Sequence, residues 1–161
     1  MCEYCGCQAL TAIRDLTREH DEVVALISHV RAAHADGDVP AMAGLATRIT
    51  QVLGPHTAVE EDGLFPAMAA EFPDHVADLT AQHRVIEAVL GEAAGGPPAD
   101  PAWPDRLLAA LHLLREHILA EQDGVFPTAL GRLDPAEWDA IEAVRRRVGT
   151  GLAERTEEPA K

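Results

Sequence analysis

One phrase occurs twice in this chain. Residues 56–66 read His-Thr-Ala-Val-Glu-Glu-Asp-Gly-Leu-Phe-Pro, and residues 117–127 read His-Ile-Leu-Ala-Glu-Gln-Asp-Gly-Val-Phe-Pro. Each copy sets a His and a Glu four residues apart, His56 with Glu60 and His117 with Glu121, and each has a lone His upstream, at His20 and His83. A helix carries residues i and i+4 on one face, with Cβ atoms ~6 Å apart, so each pair can aim at one point. Four imidazoles and two carboxylates with internal two-fold symmetry point to a two-metal site, and they demand a fold that brings four helices together.

The flanking residues have the period of helices. An apolar stripe within residues 9–35 runs through Leu16, His20, Val23, Ile27 and Val30 and stops at Ala35-Asp36-Gly37-Asp38-Val39-Pro40. A second runs through Leu45, Ile49, Val52, His56, Val59 and Glu60, continuing past Phe65 toward Phe72-Pro73-Asp74. A third takes Val76, Leu79, His83, Ile86 and Leu90, and a fourth takes Leu107, Leu111, Leu114, His117 and Glu121. Recurrence at three and four residues marks an amphipathic helix. The Gly-, Pro- and Ala-rich run from Gly91 to Pro104 is a loop. A short fifth helix starts with Asp134 as N-cap, Pro135 at the first helical position and Glu137 at the third, and runs to about Val148. Three Phe, two Trp and one Tyr beside abundant Ala, Leu and Val favour close-packed helices over a sheet.

Each long stripe is interrupted by His, Glu or both at a position that faces the core. A buried polar group without a partner costs ~1–3 kcal/mol, so something must satisfy several of them together. The turns fix their heights. His20 lies 17 residues before Gly37 and His56 lies 18 after Asp38, which makes them level. Glu60 lies 12 residues before Phe72 and His83 lies 9 after Asp74, level within a turn. His83 lies 8 residues before Gly91 and His117 lies 13 after Pro104, compatible with a helix running past Gly91. The expected fold is therefore all-α: an antiparallel up-down-up-down four-helix bundle with a short fifth C-terminal helix, and all six residues in one layer. The expected organisation is a Cys-rich segment over residues 1–8, the bundle and fifth helix over 9–148, and a disordered tail over 149–161.

Neutral imidazole and carboxylate suit iron, manganese or zinc, and a His/Glu set without thiolate is typical of non-haem iron. The natural division gives one metal His20 and His56 and the other His83 and His117, with Glu60 and Glu121 bridging. Each metal then has two nitrogens and two carboxylate oxygens. Roughly two of six octahedral positions are left for an oxo or hydroxo bridge and an exogenous ligand. Open positions point to small-molecule chemistry rather than a purely structural site. The expected cofactor is a pair of non-haem Fe ions, with Mn or Zn able to substitute.

The order of lone His, His-x-x-x-Glu, lone His, His-x-x-x-Glu, with Leu-Phe-Pro or Val-Phe-Pro after each Glu, resembles the hemerythrin-like (HHE cation-binding) domains over roughly residues 9–130. The resemblance implies an antiparallel four-helix bundle with a non-haem di-iron centre. Oxygen-carrying hemerythrins use five histidines and two carboxylates, with a further His on the third helix and Asp as the last ligand. Here the third helix has His83 alone, with Glu87 four residues on and Leu79 four before, and the last carboxylate is Glu121. The pattern is closer to bacterial hemerythrin-like proteins and to the domain of the eukaryotic iron-sensing F-box protein. Those relatives are linked to peroxide decomposition and to iron or oxygen sensing. What this implies is a di-iron protein that reacts with hydrogen peroxide or oxygen, most simply by catalase-like decomposition. The alternatives are a sensor of iron, oxygen or nitric oxide without turnover, and a di-iron oxidase or oxygenase acting on an organic substrate. Simple oxygen carriage fits poorly without the fifth histidine.

His29, His34, His75 and His112 fall on stripe flanks or near helix ends and read as surface or boundary residues. Glu61, Asp62, Gln122 and Asp123 form either a solvated face or partners that hold a ligand histidine in its tautomer. Gly63 and Gly124 allow helices close together, while Pro55, Pro66 and Pro127 kink a helix or free a carbonyl. Cys2, Cys5 and Cys7 form Cys-x-x-Cys-x-Cys. They are one thiol short of a usual structural zinc site, or a redox pair of Cys2 and Cys5, or incidental thiols. A formal net charge of −14, from 27 acidic against 13 basic side chains, disfavours nucleic acid and anionic membrane as partners. No apolar run approaches the ~20 residues that a bilayer span needs. The N-terminus lacks the features of a secretory signal, so the expected location is cytoplasmic, where thiols stay reduced. The expected partners are small molecules (peroxide, oxygen or nitric oxide), and the protein itself is expected as a monomer or small homo-oligomer.

Overall fold

The computed structural model describes residues 5–153, with backbone alone for residues 5 and 6. Among the described residues the regular structure is entirely helical. Helix α1 (Cys5–Ala35) ends in a Schellman turn. Gly37, at φ +67°, donates its N–H to the His34 carbonyl at 3.0 Å, and the Asp38 N–H reaches the Ala33 carbonyl at 2.9 Å. Asp38 then caps α2 (Val39–Val59), its carboxylate accepting the Ala41 N–H at 3.0 Å with Pro40 in the first turn. This tight link lays α1 along α2.

Helix α2 passes without a break into a π-helical turn (Glu60–Leu64) and on into α3 (Phe65–Met68). Helix α4 (Pro73–Gly91) and α5 (Trp103–Ala120) follow. The second half repeats the first: α5 runs into a second π-helical turn (Glu121–Val125) and α6 (Phe126–Arg132). The loop between α4 and α5 is clamped by Arg106, which donates to Glu92 at 2.6 and 2.8 Å and to Asp100 at 2.7 Å. Helix α7 (Pro135–Val148) opens with a capping box between Asp134 and Glu137, with bonds of 2.8 and 3.1 Å, as its sequence predicts.

The long helices close a ring, α1 on α2, α2 on α4, α4 on α5 and α5 on α1, and α7 lies across α1, α2 and the first π turn. Gly63 is what lets α7 approach, because a Cβ there would meet the Ile141 backbone at 3.2 Å. Gly124, expected to do the same, has open space around it. The apolar core comes in two clusters. One gathers Val23, Ile27, Val30, Ile49, Val52, Ile86, Leu90, Trp103, Leu107 and Leu111. The other gathers Leu16, Val59, Phe65, Met68, Leu79 and Phe126 with Trp138, Ile141 and Val144 of α7. On every long helix the change from one cluster to the other falls at the histidines and glutamates.

At each proline the sequence predicts a kink or a freed carbonyl, and Pro55 gives the second. Pro66 and Pro127 each follow a π turn, in which the N–H of Phe65 bonds the Glu60 carbonyl and that of Phe126 bonds the Glu121 carbonyl. The wider turn takes up the proline ring, which would clash with the carbonyl four residues back in an α-helix, and the helix continues. Pro55 sits inside α2 and leaves the Gln51 carbonyl without its helical donor. The chain after α7 lies on that spot: a Cβ on Gly151 would fall 2.0 Å from the Gln51 oxygen, and Arg48 donates to the Gly151 carbonyl at 2.9 Å. Residues 149–153, assigned by sequence to a disordered tail, are therefore packed on the bundle by these contacts. Residues 154–161, the rest of that tail, lie outside the described residues. No helix among the described residues is long and apolar enough to cross a membrane.

Candidate metal centre

The six residues singled out by the repeat meet in one layer, and His20, His56, Glu60, His83, His117 and Glu121 are all buried. Between them they make two sets whose nitrogen and oxygen atoms lie within 4.8 Å of one another: His20, His56, Glu60 and Glu121 in one, and Glu60, His83 and His117 in the other. The rings pair off, His20 with His56 and His83 with His117, each pair at 4.6 Å between centroids. Each carboxylate reaches one histidine of each pair. Glu60 lies 3.0 Å from His56 Nε2 and 3.1 Å from His83 Nε2. Glu121 lies 2.9 Å from His117 Nε2 and 3.3 Å from His20 Nε2.

The π turns set this geometry. Each glutamate opens a π turn, and the phenylalanine five residues on closes it. In an α-helix, positions five apart diverge by about 140° around the axis. The π turn brings them onto one side. Phe65 stacks on His83 at 5.7 Å and Phe126 stacks on His20 at 5.5 Å, so each half supplies the aromatic wall for the lone histidine of the other.

The short contacts within the layer are poorly directed as hydrogen bonds. Both nitrogens of His20, Nδ1 of His83 and all four oxygens of Glu60 and Glu121 lack a hydrogen-bond partner. The oxygens of Glu60 and Glu121 and the Nε2 atoms of the four histidines meet within this layer, a set of donor atoms that suits a cation. Four neutral imidazoles and two carboxylates suit a borderline transition metal. Without a cation, the layer balances itself with protons. Burial disfavours the charged form of His56, but the charge on Glu60, the hydrogen bond to Glu19 and the short contact with Glu60 outweigh it and raise the pKa to about 10. Burial likewise opposes ionisation of Glu60, yet the charge on His56 and the short polar contacts around it hold its carboxyl well below the usual range. His83 is also raised, burial being overcome by its short contact with Glu60 and that group's charge.

Residues that the sequence did not single out hold the far sides of the rings. His56 Nδ1 donates to Glu19 at 3.1 Å, and His117 Nδ1 to Gln82 at 2.8 Å. Arg145 of α7 grips both oxygens of Glu19, at 2.7 and 2.9 Å, and the Thr150 hydroxyl donates to it at 2.8 Å. Burial pushes the Glu19 carboxyl up, but the hydrogen bonds to His56 and Arg145 prevail and bring it to about 2. Their signal was position: Glu19 and Gln82 each stand one residue before a lone histidine. Of the four residues weighed as ring partners, Glu61 alone approaches, 3.5 Å from His83 Nδ1. Asp62 pairs instead with Arg147 of α7, Gln122 is half-buried and Asp123 is exposed. His29, His34, His75 and His112 are exposed or half-buried and stand apart from the layer. Of the three cysteines, Cys2 and the side chain of Cys5 lie outside the described residues, and Cys7 is exposed.

The chain matches the hemerythrin HHE cation binding domain over residues 11–129, from within α1 to within α6. It belongs to the hemerythrin family. The His/Glu layer of this hemerythrin domain could hold a metal ion, and α7 and the packed residues after it lie beyond the matched span. No curated protein and no solved structure matches the chain.

Proposed function

We propose that this hemerythrin domain holds two non-haem iron ions and reacts with hydrogen peroxide or oxygen, most simply by catalase-like decomposition of peroxide. The observation that carries the reading is that each carboxylate reaches one histidine of each ring pair. In this assignment His20 and His56 hold one ion, His83 and His117 the other, and Glu60 and Glu121 serve both. Two iron ions, when bound, supply the change of oxidation state and the open coordination positions that such a reaction needs. The antiparallel up-down-up-down order of the long helices belongs to the same reading. It is supported by the tight α1–α2 link and by the ring of helix contacts. A cytoplasmic location also fits it.

The chain's residues limit what reaches the layer. A cavity of about 10 Å³ lies among His20, His56, His83 and His117, lined further by Leu53, Ile86 and Leu114. Such a space admits about one water-sized molecule. That favours peroxide, oxygen or nitric oxide over an organic substrate at the ions. Phe65 and Phe126 close the layer on the other cluster's side and keep bulk water from the imidazoles.

Sensing without turnover is the second reading, and one observation favours it: His56, Glu19 and Arg145 form a continuous chain of hydrogen bonds from the layer to α7. The deciding experiment is oxygen evolution after adding peroxide to protein of known iron content, with Glu60→Ala alongside. Sustained evolution, lost in the variant, supports the enzyme. A trace per iron, equal in both proteins, removes the catalase-like reading and leaves the sensor or a di-iron oxidase or oxygenase acting on an organic substrate.

A further inference from the structure

Glu19 and Gln82 hold the same place in the two halves of the chain. Each precedes a lone histidine, His20 or His83, and each accepts the Nδ1 hydrogen of the histidine on the next motif, His56 or His117. The geometry repeats, but the chemistry does not. On the first half the acceptor is a carboxylate, and on the second it is a neutral amide. Both acceptors fix the tautomer that leaves Nε2 free to bind a cation. Only the carboxylate adds charge, and so makes its imidazole a stronger donor.

The surroundings reinforce the difference. Glu19 is buried and held from three directions, by Arg145, Thr150 and His56. Arg145 and Thr150 come from α7 and the packed residues after it, and the second half has no counterpart among the described residues. Gln82 is half-buried, and beyond Glu60 and Glu121, which both halves share, the charged groups near that half's rings are Glu61, 3.5 Å from His83 Nδ1, and Glu87 at the cavity wall, both of which also meet Arg84.

We propose that Glu19 is a positioning residue that makes the two cation positions unequal, with the position served by His20 and His56 the tighter for a divalent cation. This rests on the two-metal reading given above. Arg145 draws off part of the charge on Glu19, so the expected effect sits at the lower end of what such partners give, about tenfold in affinity.

The test is titration of the metal-free protein with Zn²⁺ by calorimetry and with Co²⁺ by its visible absorption, in the wild type, Glu19→Gln and Gln82→Glu. The wild type is expected to take two ions with separate constants. Glu19→Gln weakens the first by about tenfold and leaves the second in place, so that the two converge. Gln82→Glu strengthens the second and leaves the first. Thermal melting of the metal-free proteins separates a loss of fold from a loss of affinity. Should Glu19→Gln not fold, Gln82→Glu, which removes no buried charge, decides alone. Two ions bound with both constants shifted together, or with neither shifted, overturn the inference while leaving the two-metal reading intact. A wild type that takes up fewer than two ions overturns the two-metal reading itself.

Discussion

Removing Glu60 tests the layer most directly. Glu60 is fully buried, and its oxygens lie 3.0 Å from His56 Nε2 and 3.1 Å from His83 Nε2. Deleting one partner of a buried ion pair costs about 3–5 kcal/mol, because the other charge is left unpaired. Glu60→Ala strips two histidines at once, so the upper end, about 5 kcal/mol, is expected. Proton loss softens this, since Glu60 is the foremost influence holding the proton on His56. For a domain of this size about 1 kcal/mol moves Tm by 2–4 °C, so the metal-free variant is expected to melt about 10–20 °C below wild type. With Zn²⁺ or Fe²⁺ present the gap widens, because in the proposed assignment both ions lose a ligand and binding no longer adds as much to the native state. Glu60→Gln keeps the volume and an acceptor oxygen and is expected to lose less. Melting by circular dichroism with and without metal, together with metal content after dialysis, reads all of this. Glu116→Ala, on an exposed surface, serves as control. A Glu60→Ala protein that keeps two tightly bound ions, or melts within about 3 °C of wild type, refutes the reasoning.

Two further expectations follow from the same contacts. His56 is raised from 6.5 to about 10 when no metal is bound, so its contribution to stability is full below pH 6.5 and is lost as pH rises through 10. Metal binding at Nε2 displaces that proton: uptake at pH 7 releases at least one proton, and apparent affinity climbs about tenfold per pH unit per proton displaced. Calorimetric titration in buffers of different ionisation enthalpy measures the release, and heats independent of buffer contradict it. At the other end of the chain, a Cβ on Gly151 would lie 2.0 Å from the Gln51 oxygen, and that backbone cannot yield. Gly151→Ala is expected to lift residues 149–153, break the Arg48 and Thr150 bonds, and lower stability by about 1–2 kcal/mol. Hydrogen exchange over 149–153 reports it, and unchanged protection rules it out.

The histidine and glutamate positions were legible because Gly and Pro fix the helix ends, and the height of each residue then follows by counting. Gly37 at φ +67° and the Asp38 cap are the turn the sequence asks for. The π turns were not legible, because a single inserted residue leaves the apolar period on either side unchanged. Their trace was there in hindsight: a glutamate, a phenylalanine five residues later, then a proline, in both copies. Glu19 escaped for another reason. It lies three residues after Leu16 and four before Val23, on the spacing of the stripe itself, but a glutamate beside His20 gives no local sign of a partner. What buries it is Arg145, 126 residues away in sequence, which no local pattern announces. The residues after Gly149 failed similarly. Gly-Thr-Gly reads as loose chain, and what packs it are bonds to Arg48 and Glu19, far away in sequence.

A helical bundle has no structural need for this layer. Six apolar residues in its place would join the two core clusters into one, and replacing buried charges by well-packed apolar groups is often neutral or stabilising by about 1–4 kcal/mol. The chain instead sets the unpaired oxygens of two carboxylates against the Nε2 atoms of four imidazoles, and each carboxylate opens a π turn. Protons offset part of the cost, as the raised His56 and His83 attest, but a proton satisfies one donor–acceptor line at a time. A cation satisfies several lone pairs at once. The arrangement is thus least costly with cations in it, and the stability they add is the quantity that separates a working metal centre from a merely polar core.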